Sequence, residues 1–90
     1  MSKKWKEREW HDVAMMADDS CWPSLQLLPL KRFIPGKKSL SPDEYGVLGA
    51  GRGPIVYTGD EILSLKDCTT DKAKEYPTFQ AVWNDGWMVD

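Results

Sequence analysis

The chain is poor in the residues that most site chemistry needs. It has a single histidine, His11, and two cysteines, Cys21 and Cys68, far apart in sequence. There is no CxxC pair, and a zinc site needs about four ligands at recognisable spacing. No metal and no cofactor is therefore implied. In a cytosolic protein, two distant cysteines are expected to be reduced and at least partly buried rather than bridged. His11 stands next to Asp12, but neighbours in sequence on a helix do not face each other, so no catalytic dyad is read there. No serine or cysteine stands in a nucleophile motif. The acidic pairs Asp18-Asp19, Asp43-Glu44 and Asp60-Glu61 read as helix ends or turns rather than as halves of an acid–base pair. Together these absences argue against an enzyme.

Long apolar runs are also missing. The longest, Leu27-Leu28-Pro29-Leu30, is far short of a membrane span. The lysine-rich start is followed by no apolar segment of the kind a secretory signal carries, so the chain is expected in the cytosol with no membrane partner. Glycines do cluster, at Gly46, Gly49, Gly51 and Gly53. They do not form a phosphate loop, because no Lys-Ser/Thr follows. Nor do they open a helix, because Pro54-Ile55-Val56-Tyr57 continues as a strand. The cluster reads as a hairpin turn, with Arg52 at its tip as the one residue there placed to touch a partner.

What is present is ordinary for a folded protein. Ninety residues, with 41% hydrophobic and 29% charged, suit one compact domain with a single small core. Five tryptophans, three tyrosines and two phenylalanines are too many for a solvated coil. The charge is unevenly placed: residues 1–38 carry eight basic and five acidic side chains, residues 39–90 four basic and nine acidic. That layout either steers a partner or reflects solvated faces.

Residues 1–4 are expected to fray. From Trp5 to Ala17 the pattern is helical, with Trp10, Val13, Ala14 and Ala17 on one face read as the core face. Asp18-Asp19-Ser20 ends it. The Trp22-Pro23 step opens an extended segment, and Leu25–Phe33 reads as a strand with Leu28 and Leu30 inward. Pro29 marks that strand as an edge or a bent one. Residues 34–43 are loop. Tyr45–Leu48 and Pro54–Thr58 form the hairpin, and Glu61–Leu65 is a third strand or, competing with it, a one-turn helix capped by Asp60. Residues 66–77 are a polar connection.

The last fifteen residues, 76–90, are the best defined. Thr78 caps a short helix whose Phe79, Val82 and Trp83 share a face. Gly86 stops it in the left-handed conformation, and Trp87 and Val89 then alternate as a final strand paired in the sheet. The fold class is α+β: a small antiparallel sheet of three to four strands with an N-terminal helix and a short helix before the C-terminal strand.

Candidate binding residues come from aromatics and bases. Trp10, Trp83 and Trp87 fit core positions, whereas Trp5 and Trp22 fit less well and act either as lids over a thin core or as binding hot spots. Lys31, Arg32, Lys37 and Lys38 cluster around one loop with Phe33 among them. Lys3, Lys4, Lys6 and Arg8 make a second basic group with Trp5. Bases interleaved with aromatics grip nucleic acid through phosphate contact and stacking, although a pI near 5.3 is low for such a module.

Four segments carry a resemblance: Trp22-Pro23, Leu28-Pro29-Leu30-Lys31-Arg32, Tyr76-Pro77-Thr78, and Asp85-Gly86-Trp87-Met88-Val89-Asp90. In these the chain resembles small proteins encoded by tailed bacteriophages. The resemblance brings no activity and no functional residue with it. It implies a setting, a bacterial host cell, in which such proteins bind and redirect one host macromolecule. The expected function is a non-enzymatic protein-interaction module, possible as a homo-oligomer, using Trp5, Trp22, Lys31, Arg32, Phe33, Lys37, Lys38 and Arg52. The alternative is a small nucleic-acid-binding domain using the Lys31–Lys38 loop and the basic N-terminus. A site completed only on oligomerisation and a structural virion component also remain open.

Overall fold

A computed structural model describes residues 3–22, 26–34, 36, 41–59, 62 and 64–90, the side chains of residues 3–5 excepted. Its elements are α1 (Lys3–Ala17), β1 (Leu27–Arg32), β2 (Glu44–Gly49), β3 (Ile55–Thr58), β4 (Ala73–Glu75), α2 (Phe79–Asn84) and β5 (Trp87–Val89), with short 3₁₀ turns at Asp19–Cys21, Leu65–Asp67 and Thr70–Lys72. All strand pairs are antiparallel, in the order β4-β3-β2-β1-β5. The expected α+β class and both helices are present, with five strands rather than three to four, and with α1 starting at Lys3, inside the stretch expected to fray. No helix among the described residues is long and apolar enough to cross a membrane.

Strand alternation splits the side chains between two faces. Leu28 and Leu30 of β1, Leu48 of β2, Val56 of β3, and Trp87 and Val89 of β5 share one face. With Met16, Trp22 and Val82 they form the main core. Each such aliphatic side chain contributes about 1.5–3 kcal/mol on full burial. On the other face Leu27, Tyr57 and Cys68 form a smaller cluster, flanked by Val47, Ile55, Ile62, Leu65 and Ala73. The helices cover the first face, and the 3₁₀ segment after β3 covers one end of the second.

The C-terminal block folds as its residues dictate. The Thr78 hydroxyl accepts from the Ala81 amide at 3.1 Å and caps α2. Gly86 takes φ +99°, a conformation that L side chains resist. Trp87 turns inward onto Gly46, whose added Cβ would stand 2.9 Å from Val56 Cγ1 and 3.0 Å from Trp87 Cη2. The missing side chain at Gly46 is what seats the indole against the sheet.

Four expectations are corrected. β1 lies inside the sheet, paired with β2 on one side and β5 on the other. Its proline is tolerated because its nitrogen faces the last rung of the β5 ladder rather than β2: the Asp90 amide still donates to the Pro29 carbonyl, and only the reciprocal bond of that rung is lost. The strand proposed at Glu61–Leu65 is not formed at Leu65, which starts a 3₁₀ turn capped by Ser64; residues 60, 61 and 63 lie outside the described residues. The outer partner of β3 is instead Ala73–Glu75, within the stretch read as a polar connection. Half-buried and exposed edge positions give it no apolar signature. Of the cysteines, Cys68 is buried as expected, but Cys21 is exposed in the turn after α1; both are free thiols.

The fourth correction concerns the face that α1 presents. Trp10 is 70% exposed, and the inward residues are Asp12 and Met16. Asp12 is fully buried. Its Oδ2 accepts from the Val89 amide at 3.0 Å and from Arg8 Nε at 2.8 Å, while Arg8 Nη2 donates to the Val89 carbonyl at 2.7 Å. One ion pair on α1 thus satisfies both backbone groups of an edge-strand residue. A polar anchor, rather than the apolar stripe, sets the rotation of the helix. His11 Nδ1 also lies 3.0 Å from Asp12 Oδ1, so the two neighbours do meet: the exposed ring reaches across the helix surface to the inward carboxylate.

Two substitutions test this packing. Gly46→Ala is expected to lower the unfolding free energy by about 1–3 kcal/mol through overpacking against Trp87; a loss in urea titration below about 0.5 kcal/mol would show that the indole has room to yield. Asp12→Ala is expected to destabilise by about 1.5–3 kcal/mol, and Trp10→Ala to stay within about 0.5 kcal/mol. The opposite ranking would mean that α1 is rotated with its tryptophan inward.

Candidate functional site

The residues expected to form a binding patch are not brought together. Trp22 is buried in the main core, its Nε1 donating to the Met15 carbonyl at 2.6 Å. It packs as a lid over the core, the first of the two roles open to it. Arg52 does not stand out from its turn. It folds over the Tyr57 ring, 5.5 Å from the centroid, and donates to the Cys68 carbonyl at 3.3 Å. Lys31 and Arg32, adjacent on β1, point to opposite faces, as strand alternation requires. The Lys31 ammonium stands 3.7 Å from an Asp90 carboxylate oxygen. Phe33 is half-buried just past β1, its amide donating to the Gly86 carbonyl. Lys37 and Lys38 lie outside the described residues, as does the Trp5 side chain.

Arg32 belongs to a charged cluster on the helix-covered face. Its Nε donates to the Asp85 carbonyl at 2.8 Å, its Nη2 to Asp85 Oδ1 at 3.0 Å and its Nη1 to Glu44 Oε1 at 3.0 Å. The Tyr76 hydroxyl donates to Asp85 Oδ2, Lys74 Nζ lies 3.4 Å from that oxygen, and Trp87 Nε1 donates to the Tyr76 oxygen at 3.2 Å. These groups line a recess of about 230 Å³ together with Thr58, Asp71 and Lys72. Burial works against the Asp85 charge, but hydrogen bonds from Tyr76, Arg32 and Lys74 outweigh it and hold the carboxyl below the usual range. Burial and then the bond to Asp85 push the Tyr76 phenol up. Partial burial likewise opposes the Arg32 charge, yet its two carboxylate partners raise its pKa. These shifts keep Asp85 and Arg32 charged and the Tyr76 phenol protonated. The cluster is therefore a set of fixed charges that ties β1 and β4 to the turn between α2 and β5.

The opposite face is open at one end. Lys31 pairs with Tyr45 on one side and Met88 on the other, and Pro29 pairs with Val47, so these five side chains share one face. Tyr45 is 62% exposed although β2 is an interior strand. Pro29 is exposed as well, and Lys31, Val47 and Met88 are half-buried. Just beyond β1, Ile34 is 38% exposed. A solvated face of an antiparallel sheet normally alternates to polar residues; here it carries a tyrosine, a proline, a valine and a methionine around one paired lysine. The smaller apolar cluster gathers around Leu27, Tyr57 and Cys68, away from Tyr45. Period-two reading of β2 separates Tyr45 and Val47 from Gly46 and Leu48, and this was the available signal for the patch.

The depressed Asp85 carboxyl carries a pH consequence. A carboxyl lowered in the folded state stabilises the fold above its unfolded pKa, about 3.9 for aspartate, and that contribution is lost as pH falls through the lowered value. Urea unfolding followed downward from about pH 5 is expected to show this loss, with Asp85→Asn flattening it. An unchanged acid limb in Asp85→Asn would mean that the cluster does not hold the charge. Comparison of the chain with protein-family models, with curated proteins and with solved structures finds no match.

Proposed function

We propose that the chain is a non-enzymatic protein-interaction module whose contact surface is the open end of the sheet around Tyr45. The observation that carries this reading is the 62% exposure of an aromatic at an interior-strand position, bordered by Pro29, Val47 and Met88 on the same face. Tyrosine supplies a large contact area at low conformational cost and is enriched in interface centres. The bacteriophage resemblance sets the module in a bacterial cell, where its partner is a single host protein. A nucleic-acid partner has less support: Arg32 is held between Glu44 and Asp85, and Lys31 is placed near Asp90. That leaves the basic patch largely neutralised where it is described.

Tyr45→Glu tests the reading. The substitution is on the surface and is expected to change stability by no more than about 0.5 kcal/mol. Immobilised wild-type protein should retain one stoichiometric protein from bacterial lysate, and Tyr45→Glu should lose it. Failure of the wild type to retain any such protein, or equal retention by the variant, overturns the assignment. Retention of nucleic acid instead, weakening steeply with added salt, would favour the alternative.

A further inference from the structure

The outer face of α1 has a different surface from the sheet and does not depend on the reading above. Its central feature is Trp10, 70% exposed. One turn further along the helix lies a largely apolar groove of about 340 Å³, lined by His11, Ala14, Met15, Asp18 and Cys21. A protruding aromatic and a vacant groove therefore sit side by side, offset by about one helical turn. Two copies of α1 laid antiparallel, with a two-fold axis between Trp10 and Ala14, bring each Trp10 over the groove of the other copy. A two-fold interface must be self-complementary in this way.

The two ends of α1 differ in charge: Lys3, Lys4 and Lys6 outnumber Glu7 at its start, and Asp18 and Asp19 follow its end. Lys6, one turn before Trp10, and Glu7 beside it are exposed, as are Asp18 in the groove wall and Asp19 next to it. The first turn of α1 has no acidic residue and the last turn no basic residue. With lysines at its start and aspartates after its end, the helix is charged against its own macrodipole. An antiparallel copy reverses that defect, since it places the Lys6 end of one helix beside the Asp18-Asp19 end of the other. Ala14 and Ala17 are exposed beside Trp10, and small residues there let two helices approach closely.

We propose that α1 is a homodimerisation helix, in which Trp10 of each copy occupies the groove lined by His11, Ala14, Met15, Asp18 and Cys21 of a second copy. A single helix pair buries less than the roughly 1,200–2,000 Å² of a stable interface. The dimer is therefore weak and concentration-dependent, forming at roughly 10–100 μM.

Sedimentation velocity from about 1 μM to about 1 mM should show a monomer passing into a dimer. Trp10→Ala removes the knob and keeps the groove; Ala14→Glu blocks the groove and keeps the knob. Each variant alone should be monomeric, with its dissociation constant raised at least about tenfold, while its thermal unfolding stays that of the wild type. Mixing the two should restore association, because one intact knob then meets one intact groove. A second readout is Cys21, the exposed thiol in the groove: its labelling by a thiol reagent should slow as wild-type concentration rises, and should not slow in Trp10→Ala. Tyr45→Glu should dimerise like the wild type, which separates failure here from failure of the sheet-face reading. A wild type that stays monomeric at about 1 mM overturns the proposal. So does a Trp10→Ala protein that still dimerises, or a mixture that fails to complement.

Discussion

The contact between Asp12, Arg8 and the backbone of Val89 is the constraint on which the rest of the structure depends. β5 is an edge strand of three residues, and an unprotected edge presents N–H and C=O groups that seek a partner. Here Asp12 accepts the Val89 amide and Arg8 donates to its carbonyl. A helix side chain pair does the work of a neighbouring strand. The carboxylate is buried only because that amide, Arg8 and His11 surround it; alone in an apolar core it would be strongly unfavourable. Burial of Asp12 also fixes which way α1 faces. Residues two positions away lie roughly on the opposite side of a helix with 3.6 residues per turn, so an inward Asp12 forces Trp10 outward. The exposed tryptophan is a consequence of the clamp rather than a defect of packing.

This explains where sequence reading succeeded and where it could not. Most of the stretch from Thr78 to Val89 was legible because its signals are local; Trp83, read as a core residue, is the exception, half-buried and outside the main cluster. A hydroxyl caps a helix, a glycine takes a positive φ, and alternate residues turn inward. Leu28 and Leu30 were legible for the same reason. The orientation of α1 was not, because its two candidate faces had to be ranked, and apolar content favoured the wrong one. The deciding term was a charge buried against a strand more than 70 residues away, and no periodicity contains it. The basic loop misled in another way. Lys31 and Arg32 are neighbours in sequence, but the pleat sends one to each side of the sheet. β4 was missed because a short edge strand needs only backbone pairing, and Ala73, Lys74 and Glu75 carry no apolar pattern to announce it.

Asp85 plays the second organising part. It sits where α2 ends, beside the glycine that turns the chain into β5, and it receives Arg32 from β1, Lys74 from β4 and Tyr76 from the entry to α2. Its two oxygens are thus committed to residues spread over most of the width of the sheet. Glycine at position 46 lets Trp87 lie flat beside this cluster, and the indole N–H in turn orients Tyr76. The turn, the indole and the charges specify one another. For that reason the cluster reads as architecture, even though Arg32, Glu44, Lys74, Tyr76 and Asp85 all meet there.

The two surfaces left over lie on opposite sides of the sheet. α1 packs with Met16 on the face that carries Leu28, Leu30 and Leu48, and Tyr45 belongs to the other face, by its register with Lys31. A pair of chains joined through the outer side of α1 therefore directs its two tyrosine faces away from the joint. Neither surface obstructs the other, and each copy keeps a complete sheet face. Such a pair is bivalent. Against a partner that is itself repeated, the second contact forms at an effective concentration set by the rigid span between the faces, and avidity exceeds what one small face supplies. A ninety-residue chain has little surface to spend on any one contact; if α1 pairs as proposed, symmetry doubles that face without any new contact on it.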